Sequence, residues 1–281
     1  MQITTGELSG GGRPSEDRIL VNTDSTLVVV LDGVSTLTDE TPRGAWYAQT
    51  LGEEILSVHE RARHLDLRDT LHEALTTVAG EHDLVPGASP AATVAIVRHR
   101  PHDHMVDALV LCDTPVAVEQ HDGFDVLRDE RLEALVRLSP DRPVMFDQLH
   151  AGQGFRSSGH RQVVRRLRDH QMQHINRPGD PLTYWVAEAT PQAAHQAVVR
   201  SWPVSDIKRM WVMTDGALAG IEPYGLWTWE AFADACTTLG PQQVVETIDA
   251  YERNDADGIK HPRYKIADDK ALACIDFGPQ R

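Results

Sequence analysis

The chain has 281 residues, of which 41% are hydrophobic, and its 27 basic and 42 acidic residues give a formal net charge of −15. This length and apolar content suffice for one large domain with its own core, and we expect a single domain over residues 1–281. The negative charge disfavours nucleic acid and anionic membranes as partners. No apolar run approaches the ~20 residues needed to cross a bilayer.

The N-terminus and the cysteines indicate the compartment. The first residues show no basic segment followed by an apolar one, so no signal peptide is predicted. Three cysteines without metal-type spacing are typical of a reducing environment. We therefore expect a soluble cytoplasmic protein.

The first half of the chain shows strand and helix patterns in turn. A continuous apolar run at 26–31 predicts a buried strand that ends at the turn signal Asp32-Gly33. Apolar residues at helical spacing predict two helices, over 47–58 and over 67–78. Strands are predicted again at 93–97 and 106–112, and residues 116–118 are expected to pair with the second of these after a turn.

The second half begins with a polar region from about 141 to 203, which we interpret as a helical and loop excursion over one face. Strand patterns return at 210–213 and 271–275. The strands cluster in short meanders and do not alternate strictly with helices. The pattern favours an α+β fold with antiparallel sheets covered by helices over a doubly wound parallel sheet.

Three aspartates stand beside predicted strands and are candidate metal ligands. Asp32 and Asp215 each follow a strand and precede a glycine, and Asp268 opens the last strand. Carboxylates are the hard oxygen ligands that Mg²⁺ and Mn²⁺ prefer, and a following glycine lets the backbone approach closely. Each Asp-Gly pair alone is also typical of an ordinary turn, so the joint arrangement carries the metal hypothesis.

These segments resemble, in order along the chain, the motifs of the metal-dependent protein phosphatases, the protein phosphatase 2C family. The main segments are Glu16-Asp17-Arg18, Val30-Leu31-Asp32-Gly33, Met213-Thr214-Asp215-Gly216 and Asp268-Asp269-Lys270-Ala271-Leu272. The segments at 89–95 and 111–114 resemble two further family motifs. Together they span nearly the whole chain.

The resemblance implies a central β-sandwich of two antiparallel sheets flanked by helices, a four-layer αββα arrangement, with two Mn²⁺ or Mg²⁺ ions at one end. It implies that Asp32 bridges both ions and that Asp215 and Asp268 complete one metal site. The other site would be completed by Glu16 and the carbonyl of Gly33. Two positions have separate roles: Asp113 matches a weaker third metal, and Arg13 matches the arginine that clamps the substrate phosphate.

The sequence departs from the family pattern at several places. Arg13 lies one residue closer to Glu16 than the commoner spacing, and residues 34–36 carry no histidine that could act as general acid. Asp269 stands where asparagine is common, and Cys112 replaces a glycine. The excursion at 141–203, which shapes the substrate surface in the family, matches poorly.

The leading hypothesis is a phosphomonoester hydrolase that acts on phosphoserine or phosphothreonine in proteins, with a water activated by two metals as nucleophile. Two alternatives stay open. One is hydrolysis of a small phosphorylated metabolite, and the other is a non-catalytic relative that binds a phosphorylated partner or another protein. The altered spacing of Arg13 is the feature that keeps the non-catalytic alternative open.

Overall fold

The computed structural model describes residues 1–11, 14–34 and 43–278. Within this part of the chain there are ten strands and eight α-helices. The strands are β1 Gln2–Leu8, β2 Asp17–Val21, β3 Leu27–Val34, β4 Ala91–Arg100, β5 Met105–Leu111, β6 Val116–Gln120, β7 Phe124–Leu127, β8 Val198–Pro203, β9 Ile207–Met213 and β10 Lys270–Asp276. The helices are α1 Gly44–Arg61, α2 Leu67–Glu81, α3 Arg131–Leu138, α4 Asp141–His150, α5 Ser158–His174, α6 Asp215–Leu218, α7 Trp229–Thr238 and α8 Pro241–Asn254.

The strands form two five-stranded antiparallel sheets, ordered β1-β10-β9-β6-β7 and β2-β3-β4-β5-β8. One apolar layer lies between the sheets, and a second and a third lie between each sheet and its helices. Helices α1 and α2 cover the β2–β8 sheet, whereas α7 and α8 cover the β1–β7 sheet. The predicted α+β sandwich with flanking helices is confirmed.

The burial of strand β3 explains why residues 26–31 form a continuous apolar run. Val28 and Val30 face the layer between the sheets, whereas Leu27, Val29 and Leu31 face α1 and α2. All five are 0% exposed. A strand buried on both faces has no polar side, so it does not alternate.

The two predicted helices are α1 and α2, and their apolar stripes face the sheet. The stripe of α1 consists of Tyr47, Leu51, Ile55 and Val58, all buried. Helix α2 begins after Asp66, whose carboxylate accepts a hydrogen bond from the backbone N–H of Asp69 at 2.9 Å. This cap satisfies one of the free N–H groups of the first turn.

Two details of the strand prediction were wrong. Strand β3 does not end at Asp32-Gly33 but continues to Val34, because Gly33 and Val34 pair with Ala92 and Ala91 of β4. Residues 116–118 do not pair with β5; they form β6 between β7 and β9 in the other sheet. The chain changes sheets at 112–115, where Cys112 adopts a left-handed φ of 68°.

The polar region at 141–203 holds α4, α5 and then the edge strand β8, which the sequence pattern did not predict. Four of the six β8 residues are exposed, so the strand lacks an apolar alternation. Apolar residues of α4 and α5 pack against Tyr264 and Ile266, in the loop that precedes β10. Among the described residues, no helix is long and apolar enough to cross a membrane.

Candidate functional site

The aspartates lie at one end of the sandwich, where both sheets contribute. The register of β2 and β3 places Asp17 directly opposite Asp32. In the other sheet, β9 and β10 are neighbours, so Asp215, which follows β9, lies near Asp268, which precedes β10. A hydrogen bond of 2.7 Å from the Thr214 hydroxyl to the Asp17 carboxylate joins the two groups.

A second set of hydrogen bonds ties the N-terminal segment to the start of β10. The carboxylate of Asp269 accepts from the backbone N–H of Gly10 at 2.9 Å and from that of Glu16 at 2.8 Å. Asp269 therefore holds the segment that precedes Asp17 against the last strand.

In both Asp-Gly pairs the glycine is required because another segment of backbone lies where a Cβ atom would be. A Cβ atom on Gly33 would lie 2.5 Å from the carbonyl oxygen of Gly44, at the start of α1. A Cβ atom on Gly216 would lie only 2.0 Å from the carbonyl oxygen of Asp269. Any larger side chain would push apart the elements that carry Asp32, Asp215 and Asp268.

The carboxylates repel one another at a site where Asp17 is buried and Asp32 is half-buried. Burial, with repulsion from Asp268 and Asp269, raises the pKa of Asp17 to about 7, against an opposing effect of the hydrogen bond from Thr214. Burial, followed by repulsion from Asp17, Asp215 and Asp268, raises the pKa of Asp32 well above its usual value. Such a group of acids is most stable when a cation lies among them.

Asp215 and Asp113 belong to the same electrostatic group. Crowding by protein atoms and repulsion from Asp268 and Asp113 raise the pKa of Asp215, although solvent screens this residue more because it stands exposed at the rim. Asp113 follows β5, and burial, together with repulsion from Asp129 and Asp268, raises its pKa. Asp113, which the sequence analysis matched to a third metal, therefore lies within electrostatic reach of the main group.

Asp17 is the site residue that the sequence analysis missed. Successive side chains of a strand point to opposite faces, so the strand residue opposite Asp32 shares its face. That residue is Asp17, whose carboxylate joins the cluster, whereas the Glu16 carboxylate lies beside Gly44, 2.8 Å from where a Cβ atom there would be.

Lys265 brings a positive charge to the acidic group. Its ammonium forms an ion pair with the Asp268 carboxylate, and its side chain is 54% exposed. Partial burial acts to lower the pKa of Lys265, but the nearby carboxylates of Asp268, Asp32 and Asp215 outweigh it and raise that pKa.

A buried network lies behind Asp268 and fixes its backbone. The Lys270 ammonium, 0% exposed, donates to the Glu252 carboxylate at 2.5 Å and to the Asp268 carbonyl at 2.7 Å. The Tyr224 hydroxyl donates to the other Glu252 oxygen at 2.8 Å. Because Glu252 is paired on both oxygens, this network is a support for Asp268 and not a further acid of the cluster.

The donor chemistry of the cluster fits hard divalent cations, because its side-chain ligands are all carboxylates. Nevertheless, over residues 1–11, 14–34 and 43–278, no three His, Cys, Asp or Glu side chains are placed as a ready-made metal site. Arg13 and residues 35–36 lie outside the described residues.

Comparison with known proteins shows the fold. No family sequence model and no curated protein sequence matches the chain. Among solved structures, the PPM Ser-Thr phosphatase MsPP from Mycobacterium smegmatis, in complex with cacodylate, is similar at 18% identity and a TM-score of 0.56, with 99% of each chain covered. Stp1, a serine/threonine phosphatase from Staphylococcus aureus, is similar at 12% identity and a TM-score of 0.58, over 99% of this chain and 96% of that one.

A third similar structure contains metal. It is the catalytic domain of the serine/threonine protein phosphatase PstP in complex with two manganese ions, at 10% identity and a TM-score of 0.56, over 98% of this chain and 97% of that one. The chain thus has the fold of the PPM-type phosphatases over its full length.

Proposed function

We propose that this chain is a metal-dependent phosphomonoester hydrolase, with phosphoserine or phosphothreonine in proteins as its substrate class. One observation carries the proposal: five aspartates from both sheets form one electrostatic group at the end of a PPM-type sandwich. They are Asp17, Asp32, Asp113, Asp215 and Asp268. A fold does not need several mutually repelling acids at one place, and their cost is hard to explain unless cations normally bind there.

The chain's own residues would hold two Mn²⁺ or Mg²⁺ ions. Asp32 is the candidate bridge, Asp215 and Asp268 are candidate ligands of one ion, and Glu16 and the Gly33 carbonyl are candidates for the other. Asp17 is an additional candidate on the Asp32 side. When bound, such ions supply Lewis-acid activation of water and positive charge for the phosphoryl oxygens.

The remaining protein groups would position the site and the substrate. Thr214 and Asp269 hold the two sheets together at the cluster through hydrogen bonds. Arg13, one of the candidate residues, would orient the phosphate, because a guanidinium matches two phosphoryl oxygens at once. The free cysteines Cys112, Cys236 and Cys274 agree with a reducing, cytoplasmic location.

The test is hydrolysis of p-nitrophenyl phosphate and of a phosphothreonine peptide by metal-free protein, with Mn²⁺ or Mg²⁺ added and then removed with a chelator. We expect turnover that requires the metal, that is lost in Asp32→Asn and that persists in Asp234→Asn, a matched change on the exposed side of α7. Full activity in excess chelator would refute the metal-dependent mechanism. A preference for small phosphate esters over the peptide would favour a metabolite phosphatase.

A second candidate function is a non-catalytic phosphatase-like binding protein. The observation that favours it is the Lys265–Asp268 ion pair, because a lysine on a candidate metal ligand reduces the demand for a metal there. Calorimetric titration with Mn²⁺ separates the two functions. If the protein neither binds Mn²⁺ nor hydrolyses either substrate, the binding protein is supported.

A further inference from the structure

The loop between α8 and β10 carries a positive charge into the acidic cluster. Lys265 lies in this loop, three residues before Asp268, and its ammonium pairs with the Asp268 carboxylate. Its charge also acts on Asp17, Asp32 and Asp215, which belong to both sheets. The ammonium therefore lies beside a candidate metal ligand and within electrostatic reach of three other acids.

Other nearby basic groups are engaged elsewhere. The Arg18 guanidinium donates to the backbone carbonyls of Ser15 and Asp17. Arg263 forms an ion pair with Asp255, and Lys270 pairs with Glu252 behind the cluster. Of these four basic side chains, Lys265 is the one that pairs with a candidate metal ligand.

The main chain on both sides of Lys265 is held by packing and hydrogen bonds, whereas its side chain is half exposed. Tyr264 and Ile266 pack into the apolar group formed with α4 and α5, and the Tyr264 carbonyl lies 3.0 Å from Nε2 of His160. Arg263 donates to the Ile266 carbonyl at 2.9 Å. The Lys265 side chain itself is 54% exposed, so no packing prevents its ammonium from exchanging Asp268 for another partner while its backbone stays in place.

Asp268 is the fixed partner of the pair. Its carbonyl accepts from Lys270 at 2.7 Å, and its carboxylate accepts from the backbone N–H of Asp269 at 2.8 Å. An ion pair with an exposed lysine is weak, because water competes for the ammonium. A divalent cation on the Asp268 carboxylate would therefore weaken the ion pair with Lys265, because the charge of the metal repels the ammonium.

We propose that Lys265 is a movable cation of this site, and this inference rests on the proposed function. Its ammonium neutralises Asp268 when no metal is bound, and it binds the substrate phosphate once a metal has taken Asp268. A lysine suits this exchange because it is a compact charge with three donors on a flexible stem. The displaced ammonium remains within one side-chain length of Asp268, where it adds a phosphate contact to that assigned to Arg13.

The test compares Lys265→Met, which keeps the length of the side chain without its charge, with Lys265→Arg and with Lys260→Met, an exposed control in the same loop. The first measurement is Mn²⁺ affinity, by calorimetry on metal-free protein without substrate. We expect Lys265→Met to bind Mn²⁺ about fivefold more tightly, because the competing charge is gone. Lys260→Met and Lys265→Arg should match the wild type.

The second measurement is made at saturating Mn²⁺. Lys265→Met should raise the KM for p-nitrophenyl phosphate and the inhibition constant of inorganic phosphate by about tenfold, as expected for loss of a charged hydrogen bond. Lys265→Arg should restore most of both. Thermal melts of each variant verify that the fold is intact.

The outcomes separate this inference from the proposed function. If the wild type binds Mn²⁺ and hydrolyses phosphate esters but Lys265→Met leaves Mn²⁺ affinity or the phosphate constants unchanged, the movable cation is refuted and the phosphatase stands. If the wild type does not hydrolyse phosphate esters, the proposed function fails, and the second half of the inference fails with it. Tighter Mn²⁺ binding by Lys265→Met would then support displacement alone.

Discussion

Asp17 offers the sharpest test of the electrostatic argument, because its replacement by asparagine should stabilise the metal-free protein at high pH. The residue is 2% exposed and its pKa is raised from 3.8 to about 7. Asparagine has the shape and charge of the protonated acid. Its side-chain oxygen can still accept the hydrogen bond from Thr214 that the carboxylate accepts now.

The sign and size of the stability change with pH follow from the linkage between proton binding and folding. Between pH 4 and pH 7 the folded protein keeps a proton on Asp17 that the unfolded chain has lost, so the free energy of unfolding falls as pH rises through this range. A shift of this size corresponds to at most about 4 kcal/mol, of which about 3 kcal/mol would be lost between pH 5 and pH 9. Asp17→Asn removes this dependence.

The assay is urea unfolding of metal-free wild type, Asp17→Asn and Asp234→Asn at pH 5, 7 and 9. The stability of Asp17→Asn relative to the wild type should rise by about 3 kcal/mol from pH 5 to pH 9, whereas the control should show no such trend. Added Mn²⁺ should reverse the order at pH 9, because bound metal needs the ionised carboxylate. A constant difference across the pH range would refute the raised pKa of Asp17.

Three further predictions concern the rest of the site. A hundredfold excess of Mn²⁺ over its Kd should add about 2.7 kcal/mol to the stability of the wild type, whereas Asp32→Asn should melt at or above the metal-free wild type and gain little from Mn²⁺; a full metal-induced shift in thermal melts of this variant would contradict the bridging role. Gly216→Ala places a Cβ atom 2.0 Å from the Asp269 carbonyl oxygen, so it should lower stability by roughly 1–3 kcal/mol and abolish turnover; Ala217→Gly is a control in the same helix, and equal activity of Gly216→Ala and wild type would show that the close approach is not needed. Arg13→Ala should raise KM for phosphate esters strongly with Mn²⁺ affinity nearly unchanged, and kinetics equal to those of the wild type would mean that another group holds the phosphate.

The sequence by itself determined the fold class and the buried elements, but not the exposed edge strand β8. Buried strands such as β3 and helices such as α1 can be predicted from the local sequence, because burial on one or two faces fixes the spacing of apolar residues. The ordered Asp-Gly segments indicated a carboxylate site in the same way. Residues 116–118 were predicted as a strand but placed beside β5, because the left-handed turn at Cys112 that carries them to the other sheet leaves no apolar pattern.

The tertiary structure alone decided which side chains meet. Asp17 joins Asp32 through the register of β2 and β3, and it meets Thr214 across 197 residues of chain. Lys265 reaches Asp268 because Tyr264 and Ile266 are held by α4 and α5, in a region whose polar sequence revealed little. Spacing along a chain reports which face of its own element a residue occupies, whereas convergence of charges depends on pairing between distant elements, and no local pattern encodes it.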